Sequence, residues 1–157
     1  MNAVILTVGD EILIGQVVNT NAAFIASRLG DAGIDVTRVV TTGDDRPGIE
    51  RALREALGES DAVVLTGGLG PTHDDVTKRV VADFFGAPLV HDAGLARSIA
   101  ALLASRGIPW SGAAEEQAMV PAGAALLPNR YGTAAGLLME RGGKVVVALP
   151  GVPYEME

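Results

Sequence analysis

Short, continuous apolar runs alternate along the first half of the chain with stretches in which apolar residues recur every three or four positions. Continuous runs of this length predict buried strands, and the wider spacing predicts amphipathic helices. The predicted strands are 3–8, 34–41 and 61–66. The predicted helices are one that Asn19 or Asn21 caps, one that starts at 44–47, and one over 76–85.

The second half of the chain has a more mixed pattern. A further helix is predicted to open at Asp92, and a short one over 114–119. Two more strands are predicted over 133–139 and 144–149, and Gly142-Gly143 between them is typical of a hairpin turn.

The β-α-β-α-β-α order predicts an α/β fold. Alternation of this kind gives a mostly parallel sheet with helices on both faces, because parallel strands are connected through helices. The uninterrupted apolar strands agree, since both of their faces are covered. We expect one domain over residues 1–157, with ligands bound at the carboxyl ends of the strands.

Composition excludes several functional classes. The 157 residues include no cysteine, so the chain has no disulfide framework, no thiolate zinc site and no cysteine nucleophile. The net charge of −7 disfavours nucleic acid and anionic membrane surfaces as partners. No apolar run approaches the roughly 18 residues of a membrane span, and we expect a cytoplasmic protein.

Three segments of unusual composition follow predicted strands, at 9–21, 66–75 and 149–154. Strand ends of a parallel sheet lie along one edge, so we expect the three segments to share a site. Asp44 and Asp45 follow the remaining early strand. One of them should cap the next helix, and the other should face the site.

The segment 66–75 is the most informative of the three. Its glycines, Gly67, Gly68 and Gly70, allow the backbone to approach a ligand, and their amides can bind an anion. The segment is neither a Walker A loop nor a dinucleotide fingerprint. Asp74 and Asp75 would repel a bare phosphate, and a divalent cation removes this conflict by bridging carboxylate and phosphate oxygens. The loop therefore indicates metal-assisted phosphate or pyrophosphate chemistry.

Structural explanations remain open for several of these side chains. Asp74 fits a helix cap or a solvated charge, whereas Asp75 fits a functional role better. Asp10 and Glu11, directly after a buried strand, also favour a functional role. Lys78 is equally compatible with a phosphate contact and with a solvated helix face.

The motifs together resemble those of the competence/damage-inducible protein family, CinA. Thr66-Gly-Gly-Leu-Gly-Pro-Thr-His-Asp-Asp-Val-Thr77 resembles its signature loop, and Gly9-Asp-Glu-Ile-Leu-Ile-Gly-Gln16 with Asn19-Thr-Asn21 its opening motif. Leu149-Pro-Gly-Val-Pro-Tyr-Glu-Met156 resembles its closing motif, and Asn129 with Gly132-Thr-Ala134 resembles a fourth. Ala135 stands where the family pattern would have proline.

The resemblance implies a three-layer α/β/α molybdopterin-binding-like fold of the MoaB/MogA type. In the CinA branch it implies divalent-metal-dependent hydrolysis of ADP-ribose, and in the MogA branch adenylylation of molybdopterin. Acidic residues at the positions of Asp44 and Asp75 serve the MogA-type reaction. Longer family members carry a nicotinamide-nucleotide deamidase domain after the closing motif, and we do not expect that activity here.

The leading hypothesis is a metal-dependent pyrophosphatase acting on ADP-ribose or a similar nucleotide. Asp44 and Asp75 would be catalytic and would hold Mg²⁺, Mn²⁺ or Co²⁺, with Asp10 and Glu11 assisting. The expected substrate-binding residues are Gly67, Gly68, Gly70, Thr72, Asn19, Asn21, Lys78, Pro150, Gly151 and Tyr154. Among these, Asn19 or Asn21 would hold the ribose, and the adenine would lie near Pro150-Gly151 or Tyr154. Molybdopterin adenylylation and a non-catalytic nucleotide- or pterin-binding domain remain the alternatives.

Self-association is also expected, as a dimer or a trimer. The resemblance implies it, and apolar residues of 93–104 would supply contact surface. A strict monomer at high concentration in light scattering would contradict it.

Asp75→Asn tests the assignment of the glycine loop. Asparagine still caps a helix, so the free energy of unfolding should change by less than about 1 kcal/mol. Metal affinity and turnover of ADP-ribose should fall together, because an amide oxygen is a weaker ligand than a carboxylate. Asp74→Asn is the matched control and should do much less. Normal turnover with normal metal dependence in Asp75→Asn would remove this residue from the mechanism.

Overall fold

The computed structural model describes residues 1–71 and 76–156. The helices of this part are α1 (Asp10–Leu13), α2 (Thr20–Asp31), α3 (Arg46–Glu59), α4 (Thr77–Phe85), α5 (Ala93–Ser105), α6 (Gly112–Gln117) and α7 (Pro153–Met156). The strands are β1 (Asn2–Val8), β2 (Asp35–Thr42), β3 (Ala62–Thr66), β4 (Leu89–His91), β5 (Met119–Pro121), β6 (Ala125–Leu127), β7 (Gly136–Arg141) and β8 (Lys144–Leu149).

Six of these strands form one sheet in the order β2-β1-β3-β8-β7-β6. The strands β2, β1, β3 and β8 are mutually parallel, and β7 pairs antiparallel with β8. The strands β4 and β5 form a separate antiparallel ribbon. The prediction of a mostly parallel sheet is confirmed.

Helices cover both faces of the sheet and give three layers. On one face, Ile49 and Leu53 of α3 and Val80 of α4 pack on alternate residues of the central strands. On the other face, Ile25 of α2 and Met156 of α7 pack around residues of opposite orientation in those strands. Because both faces are covered, β1 and β3 are buried along almost their whole length, as their unbroken apolar runs predict.

Side-chain caps fix where four of the helices begin, and Ser111 caps α6 by accepting a hydrogen bond from the Ala114 amide. Asn19 caps α2 by accepting a hydrogen bond from the Ala22 amide, and Asp45 caps α3 by accepting one from the Gly48 amide. Asp92 does the same for α5. The caps predicted at Asp92 and at one of the two neighbouring aspartates, Asp44 and Asp45, are confirmed.

The hairpin prediction is also confirmed. Arg141 and Lys144 are paired residues of β7 and β8, which leaves a two-residue turn. Gly142 and Gly143 both have positive φ, at 60° and 76°. Both central residues of the tight turn that matches the twist of a hairpin need this conformation, so glycine is favoured at both positions.

Where elements are short, the hydrophobic pattern predicts them with wrong bounds or does not predict them. The strand expected over 133–139 begins at Gly136, and residues 133–135 form a loop instead. The helix expected over 114–119 is α6, two residues earlier, and Met119 opens β5. The short elements α1, α7, β4, β5 and β6 were not predicted, because three or four residues are too few to show a periodicity.

No helix in the described ranges is long and apolar enough to cross a membrane. Large exposed apolar side chains are concentrated at the end of α1 and directly after it, at Leu13, Ile14, Val17 and Val18. In α5, where the sequence placed a contact surface, Ile99 is buried. Self-association stays a prediction.

Leu53→Ala measures how much of the stability comes from the packing of α3 on the sheet. Leu53 is fully buried, so truncation should lower the free energy of unfolding by about 2–5 kcal/mol. Arg54→Ala, on the exposed side of the same helix, should change it by less than about 0.5 kcal/mol. Chemical denaturation of both variants measures the difference. Equal losses would show that α3 is not packed as described.

Candidate functional site

A cavity of about 500 Å³ opens where β1, β3 and β8 end side by side. Backbone and side chains that follow all three strands form its walls, as the shared-site prediction requires. The described residues that line it are Thr7, Val8, Glu11, Ile12, Asn21, Asp44, Thr66, Gly67, Gly68, Leu69, Gly70, Pro71, Thr133, Ala134, Pro150, Gly151, Val152 and Glu155.

Gly67 lies at the closest approach of the three strand ends. Its φ of +106° is one that side chains disfavour, and a Cβ atom there would collide with the carbonyl oxygen of Val8. Its amide donates to the Leu149 carbonyl at 3.1 Å. Gly151 packs on the same residue, since a Cβ at Gly151 would lie 3.1 Å from the Gly67 Cα. Glycine at 67 is therefore required for the three strand ends to meet.

Side-chain hydrogen bonds connect the segment 149–154, which follows β8, to the segments that follow β1 and β3. Thr66 donates its hydroxyl to the Pro150 carbonyl at 2.9 Å. The Asn21 amide nitrogen donates to the Thr66 hydroxyl at 2.9 Å and to the Gly151 carbonyl at 2.8 Å. Both N–H groups of Asn21 are used in this way, and its Oδ1 is buried without a hydrogen-bond partner. Asn21 therefore holds the site together from α2.

The loops after β1 and β2 are held by two aspartates that bond to each other's backbone. Asp44 accepts a hydrogen bond from the Asp10 amide at 3.1 Å, and Asp10 accepts one from the Asp44 amide at 3.3 Å. Asp45 caps α3, whereas Asp44 lines the cavity. The expectation that one aspartate caps and the other faces the site is confirmed. Glu11, from the first turn of α1, lines the cavity beside Asp44.

The described lining is acidic. It contains the carboxylates of Glu11, Asp44 and Glu155 and no lysine, arginine or histidine. Two basic side chains near the glycine loop and α3 already have acceptors on the chain. Arg46 pairs with Asp83 and Glu50, and these hydrogen bonds raise the pKa of its guanidinium. Lys78, which is buried, donates to the Glu116 carbonyl at 2.6 Å.

The structure brings most of the predicted site residues to this cavity. Those that line it are Glu11, Asn21, Asp44, Gly67, Gly68, Gly70, Pro150 and Gly151. Thr72 and Asp75 lie outside the described residues. The ligand-binding and catalytic roles of all of them stay predictions.

Four predicted residues do not line the cavity. Asp10 is exposed beside it and braces the Asp44 loop. Asn19 is used as a helix cap and as a donor to the Thr7 hydroxyl, so it is not available to a ribose. Lys78 is not on a solvated helix face, because it is 6% exposed. Tyr154 is exposed and packs edge-to-face on Tyr131.

Sequence reasoning missed the wall formed by Glu155, Thr133 and Ala134. Asn129 organises this wall: its Oδ1 accepts from the Tyr131 and Gly132 amides, and its Nδ2 donates to Ala134 and Glu155. The signal was present, because Asn129, Gly132-Thr-Ala134 and Glu155 all belong to the quoted motifs. Because a strand was predicted over 133–139, Thr133 and Ala134 were expected in the sheet and not in a cavity wall.

Metal ligands are incompletely assembled in the part that the structure describes. Within 1–71 and 76–156, no three His, Cys, Asp or Glu side chains are grouped to hold a metal ion. The lining nevertheless offers Glu11 and Asp44 as hard oxygen donors. Mg²⁺ is commonly held by one or two carboxylates together with substrate phosphates, so these residues fit that mode of binding.

The family model described as "Probable molybdopterin binding domain" matches residues 4–157. The chain therefore belongs to this family of α/β domains. The fold agrees with it: the molybdopterin biosynthesis enzyme MoaB of Thermus thermophilus superposes with a TM-score of 0.63 at 23% identity, over 99% of this chain and 84% of that one.

Within the family, the chain belongs to the CinA branch. The crystal structure of CinA from Thermoplasma acidophilum, described as of unknown function, has a TM-score of 0.89 and 42% identity, over 99% of this chain and 90% of that one. A CinA-like protein of Chloroherpeton thalassium is 45% identical over 161 residues, and a protein of Pyrobaculum calidifontis 50% over 156. The two matches include 100% and 99% of this chain. They correspond to only 38% and 59% of the length of those relatives, respectively.

Gly67→Ala tests whether the close approach builds the site. A methyl group there meets the Val8 carbonyl and a disfavoured φ, so both the melting temperature and ligand binding should fall. Gly58→Ala is the matched control. Position 58 lies in α3 with nothing within 4 Å of the added Cβ, so alanine should stabilise by about 0.5–1 kcal/mol. An unchanged melting temperature in Gly67→Ala would contradict the described packing.

Proposed function

We propose that this domain is a divalent-metal-dependent pyrophosphatase acting on ADP-ribose or a similar nucleoside diphosphate derivative. The observation that carries the proposal is the pairing of a glycine backbone loop with acidic walls in one cavity. The Gly67 amide is used in the bond to Leu149, so Gly68 and Gly70 are the glycines suited to bind phosphate through amides. Glu11 and Asp44 line the same cavity, and its described lining holds no basic side chain. A phosphate ligand and these carboxylates are compatible when a divalent cation lies between them.

In this proposal Glu11 and Asp44 hold the metal, and Asp75 joins them as the sequence predicts. A bound divalent cation supplies charge neutralisation and a more acidic water. The chain's own contribution is to fix the donors before a ligand arrives. The Asp10 and Asp44 backbone bonds hold one carboxylate in place, and the Asn21 and Thr66 bonds hold the opposite wall.

A second candidate is a pterin-binding domain, with or without adenylyltransferase activity. The family model favours it, because that model is described by molybdopterin binding. Both candidates use a phosphate-bearing ligand in the same cavity. The pyrophosphatase hydrolyses a nucleoside diphosphate. The pterin-binding domain either joins a pterin and ATP or binds ligands without turnover.

Asp44→Asn, with Asp45→Asn as its control, tests the proposal. Wild type should release phosphate-containing products from ADP-ribose with Mg²⁺, Mn²⁺ or Co²⁺, and should not do so with a chelator. Asp44→Asn can still accept the Asp10 amide bond, so the fold should survive while turnover falls by at least about tenfold. Asp45→Asn keeps its cap and should retain activity.

Product analysis over a panel of nucleoside diphosphates, ATP and a pterin separates the candidates. Turnover of pterin with ATP, and none of ADP-ribose, would favour the adenylyltransferase. Binding without turnover at every metal concentration would favour the non-catalytic domain. Either result would overturn the pyrophosphatase proposal.

A further inference from the structure

Glu155 lies on the opposite side of the cavity from Glu11 and Asp44. Asp44 follows β2, and Glu155 follows β8 on α7. Strands β1 and β3 lie between them in the sheet, so three strand spacings, roughly 14 Å, separate the two ends of the site. The glycine loop follows β3, next to β8, whereas Asp44 lies at the far end of the site. A ligand whose diphosphate is held near Asp44 therefore presents a different part to Glu155.

The Glu155 carboxylate is held in position by its surroundings. Its Oε2 accepts a hydrogen bond from the Asn129 side chain at 2.8 Å. It also lies flat against Gly132, where any Cβ atom would collide with it. The side chain is half-buried, and within the described part of the chain its Oε1 accepts no hydrogen bond. A fixed carboxylate with one oxygen bonded to the protein offers its remaining acceptor positions to a ligand.

Apart from Thr133, the other uncharged polar side chains that line the described part of the cavity are already hydrogen-bonded within the chain. Thr66 and Thr7 are 1% and 2% exposed and hydrogen-bonded within the chain. Both N–H groups of Asn21 are bound to the protein, and its Oδ1 is out of reach of solvent. Asn19 does not line the cavity. The ribose contact that the sequence assigned to Asn19 or Asn21 therefore needs another side chain.

We propose that Glu155 is the specificity-determining residue of the site and accepts hydrogen bonds from the two neighbouring hydroxyls of a ribose. The inference rests on the proposed function, which supplies a nucleotide ligand. Hydroxyl donors to a carboxylate make strong, charge-assisted hydrogen bonds, and acidic residues read ribose hydroxyls in dinucleotide sites in this way. The same charge rejects a ribose that carries a 2′-phosphate.

Glu155→Gln keeps the shape and still accepts the Asn129 hydrogen bond, but it loses the charge and turns one acceptor into a donor. For ADP-ribose we expect KM to rise by about 10- to 100-fold, with a much smaller change in kcat, because the proposed contact is to ribose hydroxyls and not to the reacting diphosphate. Glu140→Gln removes the same charge from the exposed side of β7 and should leave KM unchanged.

Two analogues of ADP-ribose, each lacking the 2′- and 3′-hydroxyls of one ribose, locate the contact. One of them should raise the KM of wild type by a similar factor and should abolish the difference between wild type and Glu155→Gln. The rise in the KM of wild type is measured on the unmodified protein, so that half of the test does not depend on how the variant folds. A KM penalty that persists with both analogues would show that Glu155 acts on the fold and would overturn the inference.

The amino–imino edge of a pterin presents the same pair of donors, and a pterin arm distinguishes the two sources. If Glu155→Gln weakens a pterin and leaves ADP-ribose unaffected, the ribose assignment is wrong while nucleotide turnover stands. If wild type turns over no nucleoside diphosphate with any metal, the proposed function fails and the ribose contact fails with it.

Discussion

The contact between Gly67 and the Val8 carbonyl is the constraint on which the site depends. β1 and β3 are neighbours in the sheet, and their chains must leave it through the same space. A residue without a Cβ allows this, and Gly151 closes the third side so tightly that a Cβ there would lie 3.1 Å from the Gly67 Cα. The hydrogen bonds of Asn21 and Thr66 lock the arrangement from α2. A cavity lined by segments far apart in the chain thus follows from one close approach.

The opposing charges of the site follow from this arrangement. Glycine amides at the end of β3 favour an anion, while the loops after β1 and β2 bring Glu11 and Asp44 to the same cavity. The mutual side-chain-to-backbone hydrogen bonds of Asp10 and Asp44 hold these two loops together. Arg46 and Lys78 donate to acceptors on the chain, and the described lining of the cavity holds no basic side chain. This imbalance is the physical basis for proposing a bound divalent cation.

Much of the architecture was readable from the sequence. Apolar runs such as those of β1, β3 and β8 predict strands that are covered on both faces. The regular apolar stripe of α3 predicts a helix that packs on such a sheet. Their order along the chain predicts that the glycine loop and the two acidic loops lie at one edge of the sheet. Short elements such as β4 and β5 carry too few residues to show a period, and their pairing is set by tertiary contacts that sequence spacing does not express.

The site was less predictable for a different reason: chemistry and structure use the same residue types. Asn19 and Asn21 stand two positions apart in one motif, yet Asn19 caps α2 while Asn21 faces inward and binds Thr66 and Gly151. Both side chains therefore make hydrogen bonds that stabilise the fold, although an amide side chain can equally well bind the hydroxyls of a sugar. The acceptor that remains for a ligand on that side comes from Glu155, which follows a different strand. Its position depends on Asn129 and on the absence of a side chain at Gly132, two residues more than 20 positions away. A motif indicates that a residue matters, but the hydrogen bonds it has already made decide whether it can contact a ligand.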